Sequence, residues 1–69
     1  MTPADLKEAR HALGLTLAQI APLLGYYGNN GPRLVRRMES GDRTIRPPQV
    51  LLMRAYLSGY RPDDWPTEE

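Results

Sequence analysis

The sequence predicts a compact all-α domain of four to five helices, on three observations. Apolar residues recur at helical spacing, the segments that carry them open on a capping residue or a proline, and each closes on a glycine. Nothing reads convincingly as a strand, and there is no internal repeat or low-complexity tract. Residues 1–59 are expected to form the domain. Residues 60–69 form a tail whose Pro62, Trp65 and Pro66 predict irregular backbone.

The first helix starts at Thr2-Pro3-Ala4-Asp5. Thr2 can cap it, Pro3 suits the first helical position, and Asp5 favours the positive end of the helix dipole. Leu6, Ala9, Arg10 and Leu13 then recur at i, i+3, i+4 and i+7, and Gly14 ends the segment. Thr16-Leu17-Ala18-Gln19 is a capping box for the second helix, in which Thr16 and Gln19 satisfy each other's free amides. That helix is expected to turn Ile20, Ala21 and Leu24 inward and to stop at Gly25. Pro22 falls inside it, where a proline costs ~3 kcal/mol, so a distorted or shortened helix is predicted.

Residues 26–31, Tyr-Tyr-Gly-Asn-Asn-Gly, read as a loop. Pro32 opens the third helix, capped by Gly31 or an asparagine; Val35 and Met38 are its apolar positions, Leu34 lies on the flank, and Ser40-Gly41 closes it. Residues 42–46 form a second loop. Pro47-Pro48 starts the fourth helix, where Val50, Leu51, Met53, Arg54 and Leu57 repeat helically before Ser58-Gly59.

Sixty-nine residues lie near the lower limit for one hydrophobic core, at which roughly 60% of the unfolded surface is buried. Without cysteine there is no disulfide or thiolate metal site, and oligomerisation is the remaining source of extra stability. No stretch approaches the ~18 apolar residues of a membrane span, and no leader precedes the first helix, so a cytoplasmic location is expected. His11 is the only histidine, on the first helix, where it reads as a surface residue. No His- or Cys-based nucleophile, metal centre or cofactor site is expected, and Asp63 and Asp64 sit adjacent on a tail rather than across a cleft. The predicted class is a binding protein, not an enzyme.

The net charge of +1 is unevenly placed. Residues 33–46 hold Arg33, Arg36, Arg37, Arg43 and Arg46 against Glu39 and Asp42, whereas Asp63, Asp64, Glu68 and Glu69 make the tail acidic. Arginine's planar guanidinium suits phosphate oxygens and guanine edges better than a point ammonium does.

The segment from Leu15 to Gly25, followed by Val35-Arg36-Arg37-Met38-Glu39-Ser40-Gly41, resembles the lambda-repressor-like, xenobiotic-response-element type of helix-turn-helix protein over roughly residues 6–57. A small residue at the helix crossing (Ala21), a residue tolerant of positive φ four places on (Gly25) and an aliphatic residue facing back (Val35) carry the pattern. Two departures stand out. Val35 lies ten residues after Gly25 where the family usually has six, so the turn holds about four extra residues, and Leu17 replaces a common backbone-contacting glutamine.

The resemblance implies double-stranded DNA as partner, with the third helix in the major groove. Arg33 and Arg37 are the expected base readers, at ~1–3 kcal/mol of discrimination per good bidentate pair. Arg36 reads a base or holds a phosphate. Leu34 meets a thymine methyl or packs under the inserted turn. Asn29 and Asn30 pair with adenine or phosphate, or only make the turn. Tyr26 and Tyr27 offer hydroxyls to phosphates or cover the core, and Arg43 and Arg46 contact phosphates. The resemblance also implies an Arg10–Glu39 ion pair that orients helices. A homodimer on an inverted repeat is expected, with Tyr56, Tyr60 and Trp65 at its surface, occluding a promoter as a repressor of a phage or mobile-element operon, such as an anti-defence operon. The competing class is an antitoxin or protein-interaction module, with Leu17, Leu23, Leu34 and Trp65 as an exposed apolar patch.

Overall fold

A computed structural model describes residues 1–63, 65 and 66; Asp64, Glu68 and Glu69 of the acidic tail lie outside the described residues. Four α-helices follow in order: α1 Pro3–Ala12, α2 Leu17–Leu23, α3 Gly31–Ser40 and α4 Pro47–Leu57. No strand is present among the described residues, and no helix there is long and apolar enough to cross a membrane. The radius of gyration, 11.0 Å, is about that of a compact chain of this length.

Local sequence sets the ends of the helices. The Thr2 hydroxyl accepts from the Asp5 amide at 3.1 Å while the Asp5 carboxylate accepts from the Thr2 amide at 3.1 Å. Thr16 and Gln19 exchange the same pair of bonds at the start of α2, at 3.2 and 2.9 Å. At the other end of α2, Gly25 takes φ +94° and the Tyr26 amide reaches back to the Ala21 carbonyl at 2.9 Å. That paired closure satisfies carbonyls the helix would leave open. Pro22 sits inside α2, which is only seven residues long. At the start of α3 neither Gly31 nor an asparagine side chain caps: Asn30 holds the N-cap position with no side-chain bond, and Gly31 is the first helical residue.

The core gathers Leu6 and Ala9 from α1, Ile20, Ala21 and Leu23 from α2, Leu24 just after it, Val35 and Met38 from α3, and Met53 and Tyr56 from α4. Leu23 is therefore buried, not part of an exposed patch, and Leu17 and Trp65 pack against the core. The inward stripe of α4 also differs from the sequence expectation. Gln49, Met53 and Tyr56 face in, while Leu51 and Leu57 are exposed. The cause lies at the C-terminal end of α2, whose carbonyls need donors. Gln49 Nε2 donates to the Leu24 carbonyl at 3.3 Å, and the Tyr56 hydroxyl donates to the Leu23 carbonyl at 2.6 Å. An amide and a phenol thus do at this contact what leucines cannot.

The described part of the tail, through residue 66, folds back onto the core. Trp65 meets Tyr56 edge-on at 5.4 Å between ring centroids, and the Arg61 guanidinium lies 4.1 Å from the Trp65 ring centroid. Arg61 Nη1 also donates to the Tyr56 and Tyr60 carbonyls at 2.8 and 2.9 Å, closing the end of α4.

Candidate nucleic-acid interface

α3 is positioned by what it buries. Val35 and Met38 have no solvent exposure, which fixes the rotation of the helix and turns Arg33, Arg36 and Arg37 outward. Their i, i+3, i+4 spacing places them along one face. None of the three forms an ion pair among the described residues, so their guanidiniums are available to an external anion. Leu34 is half-buried at the edge of this face.

The contact between α2 and α3 is the most extensive between helices, and Gly31 governs how close it is. A Cβ added at Gly31 would lie 2.8 Å from the Tyr26 carbonyl oxygen and 2.9 Å from the Ala21 Cβ. The small residue anticipated at this crossing, Ala21, is thus only half of the contact. Gly31, ten residues later in the chain, is the other half. Its sequence signal was its place immediately before the proline that opens a helix.

The turn from Tyr26 to Asn30 is tied to the loop after α3. Arg43 Nε donates to the Tyr26 hydroxyl at 3.3 Å, and the Arg43 guanidinium carbon lies 5.3 Å from the Tyr26 ring centroid. Burial pushes the Tyr26 phenol up. Hydrogen bonds from Arg43 and Gln49, with the positive charges of Arg43 and Arg46, outweigh that and hold it below its ordinary value. Tyr26 is consequently a bracket for Arg43, half-buried against the core. Tyr27 is 72% exposed, and Asn29 and Asn30 are exposed beside it. Arg46 is exposed at the start of α4, where its amide donates to Gln49 Oε1 at 3.0 Å. The structure thus places the two loops together, with α3 between them in the chain.

Arg10 and Glu39 join α1 to the end of α3. Arg10 Nε and Nη2 donate to the two carboxylate oxygens of Glu39 at 2.7 and 3.2 Å, and Nη1 donates to the Leu15 carbonyl at 3.0 Å. The side chains are 12% and 7% exposed, so this pair is structural and not a surface contact. It fixes the C-terminal end of the arginine-bearing helix against α1. His11 is exposed on α1.

The residues expected at a dimer surface separate. Tyr56 is 3% exposed with its hydroxyl engaged, so it belongs to the core and offers no face to a second copy. Trp65 is half-buried against it, and Tyr60, 54% exposed, stacks on the Tyr56 ring with centroids 6.1 Å apart. The exposed apolar side chains of this region are Leu51, Leu57 and Tyr60. They were hard to find from sequence because either of two stripes on α4 could face inward.

No family model, curated protein or solved structure gives a significant match to this chain.

Proposed function

We propose that the chain binds double-stranded DNA by inserting α3 of a lambda-repressor-like helix-turn-helix into the major groove, and that as a dimer it represses transcription by occluding a promoter. The observation that carries this reading is the outer face of α3. Three exposed arginines without ion-pair partners among the described residues lie on one side of a helix whose other side is fully buried. A guanidinium matches O6 and N7 of guanine in the major groove. Arg33, nearest the helix start, and Arg37, one turn on, are the base readers in this account. Arg36 sits between groove and backbone. Arg43, bracketed by Tyr26, and Arg46 hold phosphates on the flank, and Asn29 and Asn30 stand at the approach.

Dimerisation in this reading uses the exposed side of α4, Leu51 and Leu57 with Tyr60, rather than Tyr56 and Trp65. The adjacent hollow between α1 and α4 is lined by Asp5, Glu8 and Arg54 among others. It carries both signs of charge, as a twofold contact requires if Arg54 of one copy is to meet the acids of the next. Two copies so joined would address major grooves about 34 Å apart on an inverted repeat.

The same exposed side of α4 also favours a second reading, in which the module binds another protein. Reversing charge with Arg33→Glu and Arg37→Glu separates the two. The DNA reading expects duplex binding to be lost while the helical circular dichroism and the melting temperature stay near wild type. Retained duplex binding in that variant would refute α3 as the reading helix.

A further inference from the structure

The turn between α2 and α3 carries more structure than a connector needs. Its first residue is anchored twice, by the Tyr26 amide on the Ala21 carbonyl at 2.9 Å and by the Tyr26 hydroxyl that accepts from Arg43. Its far end is seated by Gly31, whose amide donates to the Gly28 carbonyl at 3.2 Å and whose α-carbon leaves no room for a Cβ. Between these anchors stands Tyr27, the most exposed large apolar side chain among the described residues. It walls a shallow hollow of about 330 Å³ together with Ala18, Pro22, Asn29 and Pro32. A rigidly presented tyrosine loses little freedom on binding, because only two side-chain torsions remain to be fixed.

Charge identifies the partner. From residue 9 to residue 38 the chain contains no acidic residue, and the turn leads directly into Arg33, Arg36 and Arg37. The hollow between α1 and α4, in contrast, is edged by Asp5 and Glu8 beside a single arginine, Arg54. An anionic surface is therefore accepted at the turn. A duplex whose groove receives α3 brings the flanking sugar-phosphate backbone toward the segment that precedes the helix.

Resting on the DNA-binding reading, we infer that Tyr27 is a second contact element, its ring packing on a deoxyribose and its hydroxyl donating to a phosphate oxygen beside the groove that α3 enters. The enlarged turn is then a clamp on the backbone and not a reader of bases. Two consequences distinguish it from the arginines. It strengthens binding to every duplex by the same factor, and, being uncharged, it displaces no counterion and leaves the salt dependence unchanged.

The test uses the full chain with Tyr27→Ala and Tyr27→Phe. Fluorescence anisotropy against the duplex selected by wild type and against a scrambled duplex, each over a salt series, gives affinities and slopes. Tyr27→Ala should weaken binding about tenfold on both duplexes, with Tyr27→Phe between it and wild type, and all salt slopes equal. Melting temperature and sedimentation mass should match wild type. Wild-type affinity in Tyr27→Ala overturns the inference, as does a loss confined to the selected duplex, which would make Tyr27 a base reader. A fall in mass without DNA also overturns it, because Tyr27 would then touch a second copy. If wild type binds no duplex at all, the DNA reading itself fails, and the clamp with it.

Discussion

Replacing Arg10 by alanine should be among the most damaging single changes in this chain. The side chain supplies two bonds to Glu39, at 2.7 and 3.2 Å, and one to the Leu15 carbonyl at 3.0 Å. Its removal leaves a carboxylate that is only 7% exposed with no cation, and a loop carbonyl without that donor. Stranding one member of a closed ion pair costs about 3–5 kcal/mol, and the small remaining exposure argues for the low end, about 3 kcal/mol. A chain of this length has a total stability of about 3–10 kcal/mol, so the variant lies near the edge of folding. For a domain of this size, about 3 kcal/mol lowers the melting midpoint by about 12–24 °C. Thermal and urea melts followed by circular dichroism measure it directly. The double substitution Arg10→Met with Glu39→Leu should recover most of the loss, because it removes the stranded charge as well as the attraction. An Arg10→Ala protein melting within about 3 °C of wild type would refute the reasoning, as would a double variant no better than the single.

Gly31→Ala forces a Cβ to within 2.8 Å of the Tyr26 carbonyl oxygen and 2.9 Å of the Ala21 Cβ, so α2 and α3 must move apart. A loss of about 1–3 kcal/mol in urea unfolding is expected, with weaker DNA binding, and an unchanged midpoint would contradict the packing described. The Tyr26 phenol is held below its ordinary value of 10.0, so it should contribute a phase of tyrosinate absorbance below that value, and Tyr26→Phe should remove that phase. Because the native state favours the deprotonated phenol, the stabilisation it contributes is complete above pH 10.0 and fades as pH falls through the lowered native value; a Tyr26→Phe curve that loses amplitude only at or above pH 10.0 would count against the Arg43 bracket. At the acid end, the Asp5 carboxyl is held below its ordinary 3.8, first by the Thr2 amide and then by its hydroxyl, so the Thr2–Asp5 capping contribution is present above that value and lost as pH falls through the native one. Asp5→Ala should therefore show a smaller loss of stability between neutral pH and strong acid than wild type.

What was legible in the sequence was local. Thr2, Thr16 and the glycines that end the helices act through neighbours three or four residues away, and their chemistry needs no knowledge of the fold. The outward face of α3 was legible for the same reason, since Val35 and Met38 fix its rotation and the arginines follow by spacing. The illegible features all depend on distant partners. The Tyr26–Arg43 contact spans 17 residues and two loops, and nothing at either position announces the other. Gln49 and Tyr56 turn inward because of carbonyls at the end of another helix, so hydrophobic periodicity found Met53 but missed these two and grouped the exposed Leu51 and Leu57 with it. The described tail residues are irregular as read, but nothing in the sequence announces the contacts of Arg61 over Trp65 and of Trp65 edge-on to Tyr56 that attach them to the core.

The central claim, that α3 reads DNA, is tested most directly by selecting a random duplex library against the wild-type chain and against the Arg33→Ala, Arg37→Ala double variant. The account predicts that wild type recovers an inverted repeat with guanines in each half-site and that the variant, folded and with its melting temperature unchanged, recovers none. Enrichment of the same motif by the variant, or of no motif by wild type, would contradict it.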